Sequence, residues 1–524
     1  MLTHDIIESR RLEIQSQLDS AKTLTERNKL GQFATPPALA IDMLDYARLI
    51  LPTDVPIRFF DPAMGTGAFH SALLHAFPPS QIIEATGYEI DPYYGRKAIE
   101  IWGDELFKLH IGDFTRAIPP NSNDGKPNLL ICNPPYVRHH HLNSGEKLRL
   151  RKLTEKIAGV NLSELAGLYC YFLCISHAWM AENALAGWLI PSEFMDVNYG
   201  QQIKKYLLKN VTLLRIHRFD PTEVQFKDAL VSSAVVWFKK AAPPQNHAIE
   251  FTYGGTLTAP KLSKFIPVDT LNNATKWTRF PLASVPESFK SSHKHFKLSD
   301  LFHIKRGLVT GANDFFILTE EQVVKHKLPR EFLISILPSP RYLATNEVEA
   351  DSDGNPILEQ KLFLLVCDLP EDEVASKYPT LWKYLQIGVE RGINERYLCK
   401  HRSPWYMQEE RPPSILLCTY MGRQNTVQGR PFRFILNHSK ATAANVYLIL
   451  YPKTLMEKTL RSKPELATSL WSALNGISPE TLIGEGRVYG GGLHKLEPKE
   501  LGNAPADDIV AILPGVFTEQ MKLF

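Results

Sequence analysis

From residue 57 to residue 240 the chain alternates short apolar runs with amphipathic stretches, and this rhythm restricts the fold more than any other feature. "IRFF" (57–60) leads through a glycine-bearing turn into "AFHSALLHAF", and "IEATGYEI" (83–90), "LFKLHIGDF" and "PNLLICN" supply further strand signals. "LAGLYCYFLCISHAWMAENA" reads as helix, "LAGWLIP" as strand, "QQIKKYLLKN" as helix and "VSSAVVWFKK" (231–240) as a late strand. Repeated strand–helix alternation implies an α/β fold: a Rossmann-like, doubly wound, mostly parallel sheet with helices on both faces.

Around this core the sequence divides into segments. Residues 1–30 open the chain, and the charged stretch 5–30, with Ile6, Ile7, Ile14 and Leu18 at helical spacing, is expected to be a helix. The α/β domain is expected over 31–245 and a connection over 246–294, marked by "AAPPQNHAIE" and "FPLASVPESFKSSHKH". A second, less regular domain of mixed α+β character follows over 295–524. A 524-residue chain with 44% hydrophobic and 22% charged residues has ample material for two such cores. Its net charge of +3 permits a polyanionic partner without requiring one.

The six cysteines form no CxxC pair, and Cys170 and Cys174 sit one helical turn apart, as on a buried face. Reduced thiols in a cytoplasmic protein are expected, with no metal. The three adjacent histidines 139–141 lack ligand spacing and read as a solvated or phosphate-facing loop. The acidic N-terminus argues against an export signal. The most apolar stretch, 165–191, is interrupted by His177, Glu182 and Asn183, so no membrane span is expected.

Chemistry-bearing residues fall at successive strand ends. In "GQFATPPALAIDML" (31–44), Thr35 is expected to cap a helix that begins at Pro36. In "FFDPAMGTGAFHSALL" (59–74), Asp61 closes a strand, and Gly65 and Gly67 allow close backbone approach to a ligand. The acidic residue entering that turn suits a ligand with positive charge better than a pyrophosphate. Glu89 in "ATGYEIDP" stands where a carboxylate can accept two ribose hydroxyls. Asp113 and Phe114 in "HIGDF" suit an adenine, one for its amino group and one for its face. Together these describe a pocket for a nucleoside with a charged tail, such as S-adenosylmethionine. In "NPPY" (133–136), the Asn133 amide oxygen and the Pro134 carbonyl are two acceptors on a turn stiffened by Pro135, and Tyr136 adds an aromatic face.

The order "GQFATPP", "DPAMGTGAF", "GYEIDP", "GDF", "NPPY" resembles the γ-class adenine-N6 DNA methyltransferases of restriction–modification systems. The resemblance continues through "GLYCYFLCISHAWMAENALAGWLIPSEFM" and "VQFKDALVSSAVVWF", and "LFHIKRGLVTGANDFFIL" and "GRVYGGGLHKLEPKELGNAP" look like stretches of that class's target-recognition domain. It implies a cofactor site of Thr35, Asp61, Gly65, Gly67, Glu89, Asp113 and Phe114, and a target-base site of Asn133, Pro134, Pro135, Tyr136 and Phe226. The expected cofactor is S-adenosylmethionine and the expected partner double-stranded DNA, bound by a monomer, with any cognate endonuclease on another polypeptide. In the second domain Lys305, Arg306, Asn445, Arg487 and Tyr489 are candidate DNA contacts, each weighed against an ordinary solvated surface. Methylation of RNA, of protein glutamine or of cytosine N4, and a non-catalytic DNA-specificity subunit, are the alternatives.

Overall fold

The computed structural model describes residues 4–103, 106–220, 232–281, 296–423, 430–489 and 492–513. By internal contacts the chain divides into two units: Met1–Phe289 with Tyr489–Gly491, and Lys290–Val488 with Gly492–Phe524.

The first unit opens with two helices, α1 (His4–Ser20) and α2 (Leu24–Leu30), where one was expected. The break comes from a capping arrangement: the Thr23 N–H and hydroxyl both donate to Glu26 Oε2, and the Glu26 N–H donates back to Thr23 Oγ1. Then α3 (Pro37–Ile50) leads into β1 (Ile57–Asp61), α4 (Ala68–Ala76), β2 (Ile82–Glu89), α5 (Pro92–Trp102), β3 (Phe107–Ile111) and β4 (Leu129–Cys132). After β4 come α6 (Ser144–Ala158), α7 (Leu168–Ile175), β5 (Leu185–Pro191), α8 (Gln201–Lys209), β6 (Thr212–Arg218) and β7 (Ser233–Lys239). Residues 246–294, expected as a connection, instead begin with β8 (Ala248–Gly255) and β9 (Pro260–Pro267), which extend the same sheet. The prolines at 243–244 sit in a loop between strands rather than at the edge of the domain.

The nine strands run in the order β3-β2-β1-β4-β5-β7-β6-β8-β9. Strands β1 to β5 are mutually parallel, β7 lies antiparallel between β5 and β6, β8 is parallel to β6 and β9 antiparallel to β8. The central strands read as continuous apolar runs because both faces are covered. In β1, Phe59 joins a core with Met43, Leu73 and Trp102. Phe60 joins the opposite core with Cys170, Phe172 and Trp188. All six cysteines are free and buried.

The second unit is of mixed α+β construction. Its largest sheet orders Phe302–Arg306, Tyr447–Pro452, Leu416–Thr419, Phe434–Asn437 and Glu347–Val348 side by side. Short helices, among them Leu466–Gly476, pack against it. Among the described residues no helix is long and apolar enough to cross a membrane.

Candidate functional site

The strand order reverses between β1 and β4: β2 and β3 extend one way, β5 the other. In an open parallel sheet such a switch point opens a crevice beyond the carboxyl ends of the strands. Asp61 closes β1, Glu89 closes β2, and Asn133 follows β4 directly.

The two glycines after β1 have different jobs. Gly65 has φ +57°, and a side chain added there would meet nothing within 4 Å, so it leaves open space beside the backbone. Gly67 has φ +88° and caps α4; a Cβ there would stand 2.5 Å from Trp102 Nε1. Glu89, 8% exposed, accepts the Gly65 N–H at 2.9 Å and the Asp91 N–H at 2.8 Å. Each of its oxygens keeps a lone pair for a further donor. Asp61, 1% exposed, accepts the Ala63 N–H at 3.0 Å and a bond from the Cys132 thiol. Burial, with the nearby Glu89 carboxylate adding to it, pushes Asp61 up to about 7. Glu89 is raised as well, again chiefly by burial. Two buried carboxyls that resist ionisation mark a crevice short of positive charge, and a cationic ligand fits it.

At the next strand end the Asn133 amide is clamped. Its Nδ2 donates to the Phe33 carbonyl and to Thr35 Oγ1, both at 3.1 Å. The Phe33 carbonyl, which can only accept, fixes which end of the amide is nitrogen. Its Oδ1 is buried and has no hydrogen-bond partner among the described residues. A buried acceptor left unpaired costs about 1–3 kcal/mol, and its retention calls for an explanation. Thr35 therefore does not cap a helix: α3 begins at Pro37 with Pro36 in the cap position, and the Thr35 hydroxyl serves the amide instead.

Tyr136 is not an open face. It is 8% exposed, its hydroxyl donates to the Leu189 carbonyl at 3.1 Å, and its ring lies 5.9 Å from that of Phe33. Phe114 is likewise turned inward, 2% exposed, with Phe60, Tyr88, Phe172 and Trp179 around it. Asp113 accepts from the Thr115 N–H and hydroxyl at 2.9 and 2.8 Å and from Arg116 Nε at 3.2 Å. Phe226 lies outside the described residues. The histidines 139–141 form one exposed turn. Among the described residues the grouping that could converge on a metal is elsewhere, at Glu347, Glu349 and His438.

Several supporting residues escaped the sequence reading. Arg11, buried in α1, donates to Thr66 Oγ1 at 3.1 Å and to Glu8, and so ties the first helix onto the glycine loop. Its position on the Ile7–Ile14–Leu18 stripe was the available signal. Asp91 binds Lys22 and Gln32. Gly31 and Phe33 lend carbonyls to Tyr136 and Asn133, and nothing in their side chains announces that.

In the second unit, Arg306 and Asn445 come together: Arg306 Nε donates to the Asn445 carbonyl at 3.0 Å. Lys305 is exposed on the same strand. Arg487 is held by Glu500 at 2.7 Å, and Tyr489 ends the short strand Arg487–Tyr489.

Comparison with known proteins agrees with this architecture. The profile described as Eco57I restriction-modification methylase matches residues 80–225, and that of the C-terminal domain of type II methyltransferase M.Eco57I matches 274–522. Type II methyltransferase M.XamI of Xanthomonas campestris pv. amaranthicola is 26% identical over 484 residues, covering 90% of this chain and 84% of that protein. M.AccI of Acinetobacter calcoaceticus is 25% identical over 514 residues, covering 95% and 88%. Among solved structures, the type IIL restriction-modification enzyme MmeI in complex with DNA shares the fold at 12% identity, with a TM-score of 0.53 over 98% of this chain and 82% of that one. The chain belongs to the Eco57I family of type II restriction–modification DNA methyltransferases.

Proposed function

We propose that this protein transfers a methyl group from S-adenosylmethionine to N6 of an adenine turned out of duplex DNA, marking host DNA against a cognate endonuclease. The observation that carries the reading is the Asn133 amide, whose nitrogen is committed to Phe33 and Thr35 while its buried oxygen stays unpaired.

An oxygen so placed can only accept, so it selects a donor such as an exocyclic amino group. The Pro134 carbonyl, next on the same stiff turn, offers a second acceptor for the other amino hydrogen. Together they would draw the nitrogen toward tetrahedral geometry and localise a lone pair otherwise delocalised into the ring. That is preorganised polar stabilisation of a transition state.

S-Adenosylmethionine, when bound, supplies a methyl on an activated sulfonium, which needs no Lewis acid. Glu89 would accept ribose hydroxyls on its remaining lone pairs, Gly65 would let the ligand come close to the loop while Gly67 seats that loop against Trp102, and Asp61 would supply negative charge. Thr35 holds Asn133, Asp113 would accept from the adenine amino group, and Phe114, packed inward, would back that end of the pocket rather than offer it an open face. Tyr136, buried and fixed through Leu189, would brace the turn that carries Asn133, and Phe226 would flank the extruded base. Extrusion costs about a few kcal/mol, and stacking on aromatics offsets on the order of 1–3 kcal/mol. The type II methyltransferase relatives support duplex DNA as the substrate, and Lys305, Arg306, Asn445 and Arg487 of the second unit, with Tyr489, are the proposed contacts.

Incubation of the full-length protein with unmethylated duplex and labelled cofactor, followed by nucleoside mass spectrometry, tests the reading. N6-methyladenine is expected. N4-methylcytosine, transfer only to RNA or protein, or DNA binding without transfer would overturn it.

A further inference from the structure

In the second unit Arg306 lies against a fixed plate. Its Cζ is 4.2 Å from the centre of the Tyr420 ring. That ring is buried, and its hydroxyl donates to Glu497 Oε1 at 2.8 Å, so it cannot swing away. Arg306 Nε donates to the Asn445 carbonyl. The backbone beneath is fixed by the antiparallel register of Arg306 with Leu448 and by a bond of 3.3 Å from Arg411 Nε to the Arg306 carbonyl.

One face and one edge of the guanidinium are therefore committed, while the side chain remains exposed. Its two terminal nitrogens have no hydrogen-bond or carboxylate partner among the described residues. What remains is a two-pronged donor in a set plane, the shape that meets O6 and N7 of guanine in the major groove. A phosphate also accepts an arginine fork, but its oxygens are spread tetrahedrally and need no fixed plane. The neighbouring Asn445 side-chain amide makes no hydrogen bond among the described residues, and asparagine is the residue type that reads the adenine edge. Lys305, the preceding residue of the strand, is exposed and suits the phosphate backbone.

We propose that Arg306 reads a guanine of the recognition sequence, with Asn445 facing the adjoining base pair. This rests on the DNA methyltransferase reading above. The full-length wild type, Arg306→Ala and Arg306→Lys would each methylate a duplex library in vitro, with single-molecule sequencing of the products.

The wild-type motif is expected to contain a guanine at which Arg306→Ala loses discrimination by about 10–100-fold, the other positions keeping theirs. Arg306→Lys, which keeps the charge and loses the fork, is expected to lose it too, and covers the case in which alanine disturbs the sheet. A motif without guanine would overturn the proposal. So would an unchanged motif in the variants, whether binding weakens uniformly with a shallower salt dependence or not at all. A wild type that methylates no duplex would remove the underlying reading as well, whereas an active variant with an unchanged motif would remove only the role of Arg306.

Discussion

Asn133 Nδ2 and Thr35 Oγ1 meet at 3.1 Å across 98 residues of sequence, and that bond helps to hold the amide in place. The carbonyl of Phe33 takes the second amide hydrogen, so the oxygen is left as the free end.

Thr35→Val removes one of the two acceptors and keeps the shape. A net hydrogen bond is worth about 0.5–1.5 kcal/mol, so turnover is expected to fall about 2–10-fold while cofactor affinity holds. Thr35→Ser restores the acceptor and should restore the rate. Steady-state methyl transfer with both variants checks this, and an unaffected Thr35→Val would show that the amide needs no such guide.

The pH dependence of stability follows from Asp61. Its carboxyl is raised from 3.8 to about 7, by burial first. Between those values the unfolded chain has released a proton that the folded protein still holds. Stability therefore falls as pH rises through that window and levels off above it. Asp61→Asn abolishes this contribution. Urea midpoints measured from about pH 4 to about pH 8 should fall more steeply for the wild type than for the variant; parallel curves would contradict the assignment.

Gly65 and Gly67 should separate binding from folding. Gly67→Ala drives a Cβ against Trp102 and is expected to cost about 1–3 kcal/mol of stability, from overpacking alone. Gly65→Ala meets open space, so its left-handed backbone is the stability cost, about 1–2 kcal/mol, and the larger loss should appear in cofactor affinity. Thermal melts and cofactor titrations on both variants distinguish the two patterns.

Arg11→Ala takes one donor from the buried Thr66 hydroxyl and the guanidinium partner from the half-buried Glu8, and is expected to cost about 1–3 kcal/mol. Arg10→Ala, which removes an exposed pair with Glu100, should change stability by less than about 0.5 kcal/mol. Calorimetry on the pair tests whether the first helix is a working part of the unit.

The strand ends were legible because each is a local signal: an apolar run that stops at Asp61, Glu89 or Asn133. The doubly wound sheet followed from that rhythm alone. Side-chain partnerships across long separations were not legible. The Thr35 hydroxyl could be a cap or an amide clamp, and only the approach of the two segments decides. Tyr136 and Phe114 looked like open faces because aromatic residues carry no mark of which side is buried. The strands at 248–267 were hidden behind "AAPPQ", since proline breaks a pattern equally in a loop and in a linker.

The most direct test of the central claim is single-turnover methyl transfer by Asn133→Ala with cofactor affinity measured in parallel. The unpaired amide oxygen predicts a rate lower by about 10²–10³ with cofactor binding retained. An unchanged rate would show that the asparagine does not hold the target amino group, and would contradict the account.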